Sequence, residues 1–105
     1  MPGTRSATAT LNPPKAVQVT VTDEQLSVAL EDGRTITVPL AWYPRLAHGT
    51  PAERRNVRLA GAGYGLHWPD LDEDISVEAL LLGRRSSESA ASLARWLEER
   101  AARRR

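Results

Sequence analysis

An α+β fold built around an antiparallel sheet is the expectation for this chain of 105 residues. Three features carry it. Between Ala16 and Leu40 apolar residues alternate with polar ones at strand spacing, around a short turn at Glu31-Asp32-Gly33 that suits antiparallel pairing. A helix-start pattern at Thr50-Pro51-Ala52-Glu53 is followed by further strand-like stretches. The chain then closes on a stretch with apolar residues at helical spacing, so strands, helix, strands and helices succeed one another without the regular alternation of a parallel fold.

Order is expected to begin near Lys15. The preceding stretch, small and polar and ending in Asn12-Pro13-Pro14, reads as a disordered leader over residues 1–14. Ala16-Val17-Gln18-Val19-Thr20-Val21 alternates as a half-buried strand does, giving a strand near 16–22 that ends at Asp23-Glu24. A hairpin follows over 25–40, with Leu26, Val28 and Leu30 on one face of its first strand and Ile36, Val38 and Leu40 on one face of its second. A two-residue turn at Asp32-Gly33 would send these sets to opposite faces. A three-residue loop, Glu31-Asp32-Gly33, pairs Val28 with Ile36 and Leu26 with Val38, and places Gly33 where a type I turn with a bulge needs a left-handed residue.

Pro39 removes a ladder donor at the end of the hairpin. Ala41 to Ala47 reads as a short helical or turn segment. Thr50 can cap the next helix, with Pro51 at its first position and Glu53 reaching back to complete a capping box. Strands are expected near 57–60 and 64–68, joined by the glycine-dense turn Gly61-Ala62-Gly63. A helix capped by Ser76 runs through Leu81 to a stop at Gly83. The last helix should start at Ser86 or Ser87 and present Ala90, Leu93, Ala94, Leu97 and Ala101 on one face, with Trp96 beside them. One domain over 15–102 is expected, with 103–105 a frayed basic tail.

Composition limits the functions available. Lys and Arg number 14 against 13 Asp and Glu, a balance that argues against wholesale nucleic-acid binding and against a basic membrane-surface protein. The charge is uneven along the chain. Asp70, Asp72, Glu73, Asp74 and Glu78 are five acids without an intervening base, whereas Arg84 to Arg105 holds seven arginines and three glutamates. The absence of cysteine excludes disulfides and thiolate metal sites and suits a reducing, cytoplasmic setting. No apolar run approaches the ~20 residues a membrane-spanning helix needs, so no membrane partner is expected, and the first ten residues lack the apolar core of a secretory signal.

Asp70-x-Asp72-x-Asp74 imitates the start of a calcium loop, but Ile75 and Leu81 stand where that loop needs glycine and glutamate. Acids before the helix at Ser76 are better explained by the helix dipole, and no metal or cofactor is expected. His67 beside these acids has the setting of a general acid or base, yet no nucleophile accompanies it, and a strand-end histidine is the plainer reading. Gly61-x-Gly63-x-Gly65 lacks the lysine and long helix of a phosphate loop. Trp42, Tyr43 and Arg45 are residue types that dominate protein interfaces; core capping by Trp42 is the equal alternative.

The runs Asp32-Gly33-Arg34, Val38 to Leu46, Thr50 to Arg54, Gly63 to Val77 and Leu80 to Gly83 together resemble the small bacterial family called domain of unknown function 2442. The most specific part is Trp68-Pro69-x-Leu71-Asp72-Glu73-Asp74-Ile75-Ser76-Val77. The resemblance implies an α+β domain without an established activity. Some relatives continue into a helix-turn-helix domain, for which this chain leaves no room after its last helix. Many are encoded beside a second small protein, an arrangement that suggests toxin–antitoxin-like pairs.

A non-enzymatic interaction module is therefore the expected function. Its surface would comprise Trp42, Tyr43, Arg45, His67, Trp68, Asp70, Asp72, Glu73 and Asp74, facing a small protein partner. The alternative is a nucleic-acid-binding or regulatory protein using Arg84, Arg85, Arg95 and Arg100. Open strand edges also leave room for a homodimer.

Overall fold

Alternation of apolar and polar residues becomes, in the computed structural model, a first three-stranded antiparallel sheet in the order β1-β2-β3. The structure describes residues 13–103. Most of the expected leader, and the tail beyond Arg103, lie outside the described residues. Strands β2 (Gln25–Leu30) and β3 (Thr35–Pro39) pair with Val28 opposite Ile36 and Leu26 opposite Val38, the register that a three-residue loop requires. The Leu30 amide donates to the Arg34 carbonyl at 2.8 Å and the Gly33 amide to the Leu30 carbonyl at 3.0 Å. Gly33 has φ +95°, and a Cβ there would meet nothing within 4 Å, so backbone conformation rather than space demands the glycine.

Strand β1 (Ala16–Val21) lies on the other side of β2, with a register shift between Ala16 and Gln18. Val17 is the extra residue of this bulge and is turned out to solvent. After Pro39 the chain makes a single 3₁₀ turn, Leu40–Trp42, and enters two short helices, α1 (Pro44–Ala47) and α2 (Pro51–Arg55). The expected capping box of α2 is closed. Thr50 Oγ1 accepts from the Glu53 amide at 3.1 Å, and Glu53 Oε1 accepts from the Thr50 amide at 2.9 Å.

The strands expected near 57–60 and 64–68 form as β4 (Arg58–Ala60) and β5 (Gly65–Trp68), but they do not join the first sheet. They make a second sheet, β4-β5-β6, with a strand not expected from the sequence, β6 (Glu73–Ser76). Its acids therefore belong to a strand as well as preceding a helix. The turn between β4 and β5 fits tightly against the first sheet: a Cβ on Gly63 would stand 3.1 Å from Lys15 Cβ and 3.3 Å from the Ala16 carbonyl oxygen.

Ser76 caps α3 (Val77–Leu81) by accepting from the Ala79 amide at 3.0 Å, and Gly83, at φ +70°, follows the helix end. Helix α4 (Ala90–Arg103) starts later than expected. The Ser86 hydroxyl is taken by the Glu88 amide at 3.1 Å, and Ser89, accepting from the Ser92 amide at 3.1 Å, supplies the cap. Its inward face also differs from expectation. Trp96 and Arg100 are buried and Leu93 and Leu97 half-buried, whereas Ala90, Ala94 and Ala101 are exposed. Two large side chains with partners across the fold outweigh three methyl groups in choosing which face docks.

Both sheets and the short helices share one apolar cluster, whose largest fully buried members include Trp68, Leu26, Leu40, Leu46, Leu66 and Leu71. Each such side chain contributes roughly 1.5–3 kcal/mol by leaving water. The Trp68 indole is satisfied as well, donating to the Arg54 carbonyl at 3.0 Å.

Candidate functional site

Strand β6 pairs with β5 through Leu66–Ile75 and Trp68–Glu73, alternating with Gly65–Ser76 and His67–Asp74. The Val77 amide donates to the Tyr64 carbonyl at 2.9 Å, which sets the phase of the ladder. By alternation, the main-chain groups of Ile75 and Glu73 face β5, and those of Asp74 and Ser76 face away from it. No strand among the described residues pairs with that outer edge. Across from it runs the irregular stretch 84–87. Tyr43 Oη holds this stretch by donating to the Arg84 carbonyl at 2.7 Å, and the Ser86 amide does so by donating to the Trp42 carbonyl at 3.0 Å. Between edge and stretch lies a cleft of about 450 Å³, lined by Tyr43, Leu66, all of β6, and residues 84–87.

Glu73 is the chemically unusual group in this cleft. It is half-buried, its Oε1 accepts from the outward-facing amide of Asp74 at 3.0 Å, and no base lies within ion-pairing distance among the described residues. Burial lifts its carboxyl above the ordinary glutamate range, while the Asp74 amide and the more distant charge of Arg45 pull the other way. Burial also raises the Tyr43 phenol, and the charge on Glu73 adds to that shift.

The neighbouring charges are already committed. Arg45 makes a forked pair with Glu88, Nε to Oε1 at 2.9 Å and Nη2 to Oε2 at 2.6 Å, and donates to the Asp72 carbonyl at 3.0 Å. Hydrogen bonding within the pair holds Glu88 below and Arg45 above their ordinary values. His67 Nδ1 lies 2.7 Å from Asp74 Oδ1, on the face of the sheet where Arg58 stands opposite His67. Asp70 accepts from Asn56 Nδ2 at 2.9 Å, and Asp72, at φ +50°, projects into solvent.

The structure thus brings Tyr43, Arg45, Asp72, Glu73 and Asp74 to one place, with two corrections to the expected partner surface. Trp68 has no exposed surface and Tyr43 is 4% exposed, so both support the site from inside and neither can touch a partner. Trp42 is half-buried beneath the Arg85 guanidinium, 4.7 Å from its ring. The expected nucleic-acid residues are also altered. Arg84, Arg85 and Arg95 are exposed, but Arg100 is buried against Trp96 at 4.7 Å and donates to Glu53 at 2.9 Å and 3.1 Å.

Sequence reasoning missed Glu88, Glu53 in its second role, and Arg54. The Arg54 guanidinium donates to the carbonyls of Leu46 and Ala47, each at 2.8 Å, and to Asp23 at 2.9 Å. Glu88 sits 43 positions from Arg45, and Arg100 sits 47 from Glu53, separations that leave no local signal. Among the described residues no group of three or more His, Cys, Asp or Glu is placed to hold a metal ion, and no helix is long and apolar enough to cross a membrane.

Fold and site define a small α+β protein whose two three-stranded sheets share one core and whose β6 edge opens on a cleft. The chain belongs to the family described as protein of unknown function (DUF2442), whose family model matches residues 16–86. A protein of unknown function from Rhodospirillum rubrum ATCC 11170, known from a crystal structure at 2.75 Å resolution, is similar at 30% identity with a TM-score of 0.64, over 73% of this chain and 95% of that one. An uncharacterized protein from Chromobacterium violaceum, solved by solution NMR, shares the fold at 22% identity with a TM-score of 0.63, over 89% of this chain and 85% of that one. No curated protein matches the chain. Helix α4 lies beyond the matched residues.

Proposed function

We propose that this protein is a non-enzymatic interaction module that binds a small partner protein at the β6 edge, as one member of a toxin–antitoxin-like pair. The observation that carries the reading is Glu73, a half-buried acid without an ion-pairing base, set in a cleft beside an open strand edge. Trp42, His67, Asp70, Asp72, Glu73 and Asp74 supply the contact surface. Tyr43, Arg45 and Trp68 hold it in shape from behind.

An enzymatic reading has less support. The His67–Asp74 pair has the first two parts of a relay, but the next hydroxyl on the same strand face, Ser76, already serves as the cap of α3. Use of the arginines on nucleic acid is also weakened, because Arg100 is buried in its bonds to Glu53 and Arg85 lies over Trp42.

The test is recovery of the tagged full chain from its native host, beside a Trp42→Ala/Asp72→Ala double variant that keeps the wild-type circular dichroism. One stoichiometric small protein, lost in the variant, is the expected outcome. Nucleic acid alone, or a partner held equally by the variant, would overturn the reading.

A further inference from the structure

We infer that the partner docks by strand addition: an extended segment carrying a lysine or arginine enters the cleft between β6 and residues 84–87, pairs with the main chain of Asp74 and Ser76, and sets its basic side chain against Glu73. This rests on the interaction reading above and specifies how that interaction is made.

The first support is a comparison of strand edges. Proteins protect open edges with bulges, prolines or short strands. Here β1 carries the bulge at Val17, β3 ends in Pro39, and β4 has three residues. The β6 edge, four residues long, has no bulge and no proline and is guarded by the acids Glu73 and Asp74. Its Asp74 amide is occupied instead by the carboxylate of Glu73, an acceptor standing where the carbonyl of an added strand would stand. Displacing that carboxylate frees it for a cation.

The second support is charge. Asp74 is paired with His67, Arg45 with Glu88, and Arg85 lies over Trp42, whereas Glu73 has no base within ion-pairing distance among the described residues. A basic residue beside Glu73 supplies the missing partner and an acidic one there is repelled, while Arg84 and Arg85 put positive charge on the opposite wall. Acid at the edge also discourages indiscriminate pairing, so the charge sets specificity as well as affinity. The third support is size and lining. The cleft of about 450 Å³ accommodates a few residues of extended chain, and the half-buried Ala60 and Ala79 offer apolar surface to alternate side chains.

The experiment selects random seven-residue peptides displayed on phage against the full chain, then titrates the synthetic consensus peptide into labelled protein by NMR. The expected consensus has one basic residue flanked by β-branched residues. Binding should shift the amides of Asp74, Ser76 and residues 84–87, weaken at least tenfold in Glu73→Gln, and vanish when alternate amides of the peptide are N-methylated. Glu73→Gln retains a side-chain acceptor for the Asp74 amide, and an otherwise unchanged spectrum verifies its fold.

Selected peptides that leave Asp74 and Ser76 unmoved, or bind Glu73→Gln equally, overturn strand addition. Concentration-dependent shifts of the same amides without peptide would assign the edge to a second copy of this chain and also overturn it. If strand addition fails while the small partner is still lost in Trp42→Ala/Asp72→Ala, the interaction module stands. Loss of both results removes both readings.

Discussion

Residues 16–86 and helix α4 share one core but are held by different balances of force. The family body, 16–86, is organised around side chains with almost no exposed surface, among them Leu26, Val28, Leu46, Trp68, Leu71 and Val77. Helix α4 buries one aromatic, Trp96, and secures it between two cations, Arg45 at 5.1 Å and Arg100 at 4.7 Å. Each cation is tied to an acid, Glu88 and Glu53 respectively. The body therefore rests chiefly on the hydrophobic effect, whereas the helix adds to the apolar docking of Trp96, Leu93 and Leu97 a set of charges arranged around the ring. The two regions meet at the candidate site, because Glu88 leads into α4 and the stretch before it forms the far wall of the cleft.

The largest effect should come from the body. Trp68→Ala removes a side chain with no exposed surface and leaves the Arg54 carbonyl without its indole donor. The expected cost is about 3–5 kcal/mol, comparable with the whole stability of a small domain. Urea titration should show the variant largely unfolded, with α4 lost as well. A cost below about 1 kcal/mol would mean that the core lies elsewhere.

Trp96→Ala sharpens the contrast. We expect amide protection to disappear from residues 90–103 while β2 and β5 keep theirs. The consensus peptide should also bind more weakly, since the far wall of the cleft loses its anchor. A smaller and more local effect belongs to Thr50→Ala, which opens the capping box of α2 and should cost about 1 kcal/mol by urea titration.

Glu73→Gln is the smallest change and has the opposite sign. Burial raises the folded value of this carboxyl, so its contribution to stability is complete at low pH and is lost as pH rises through that value. At neutral pH the variant should equal or exceed wild type by on the order of 0.5 kcal/mol, read by thermal melting, even as peptide affinity falls. Destabilisation would show that the ionised carboxylate serves folding rather than binding.

Much of the body was legible because its signals are local. Gly33 after Glu31-Asp32 set the hairpin register, Thr50 with Glu53 marked the start of α2, and Ser76 and Gly83 bracketed α3. Strand β6 was not, because Glu73-Asp74-Ile75-Ser76 has one apolar residue and its acids have a ready explanation beside a helix start. Glu73 was legible only as one acid of the expected surface, because its distinct place depends on which edge of the sheet is open. The α4 face was misjudged for a related reason. Spacing showed which residues share a face, but choosing the docked face needed Arg45 and Glu53, which are distant in sequence.

The division between the two regions is tested most directly by amide exchange across the full chain as the pH is lowered from 6 to 2. Hydrogen bonding from Arg100 holds the Glu53 carboxyl at about 2, and Arg45 depresses that of Glu88. Both contributions are complete above the ordinary glutamate value of 4.5 and are lost as pH falls below it, that of Glu53 toward about 2. Protection of residues 90–103 should fall within that window, ahead of β2 and β5. If α4 keeps its protection at pH 2, or if helix and strands lose theirs together, the two regions are not held by different balances of force.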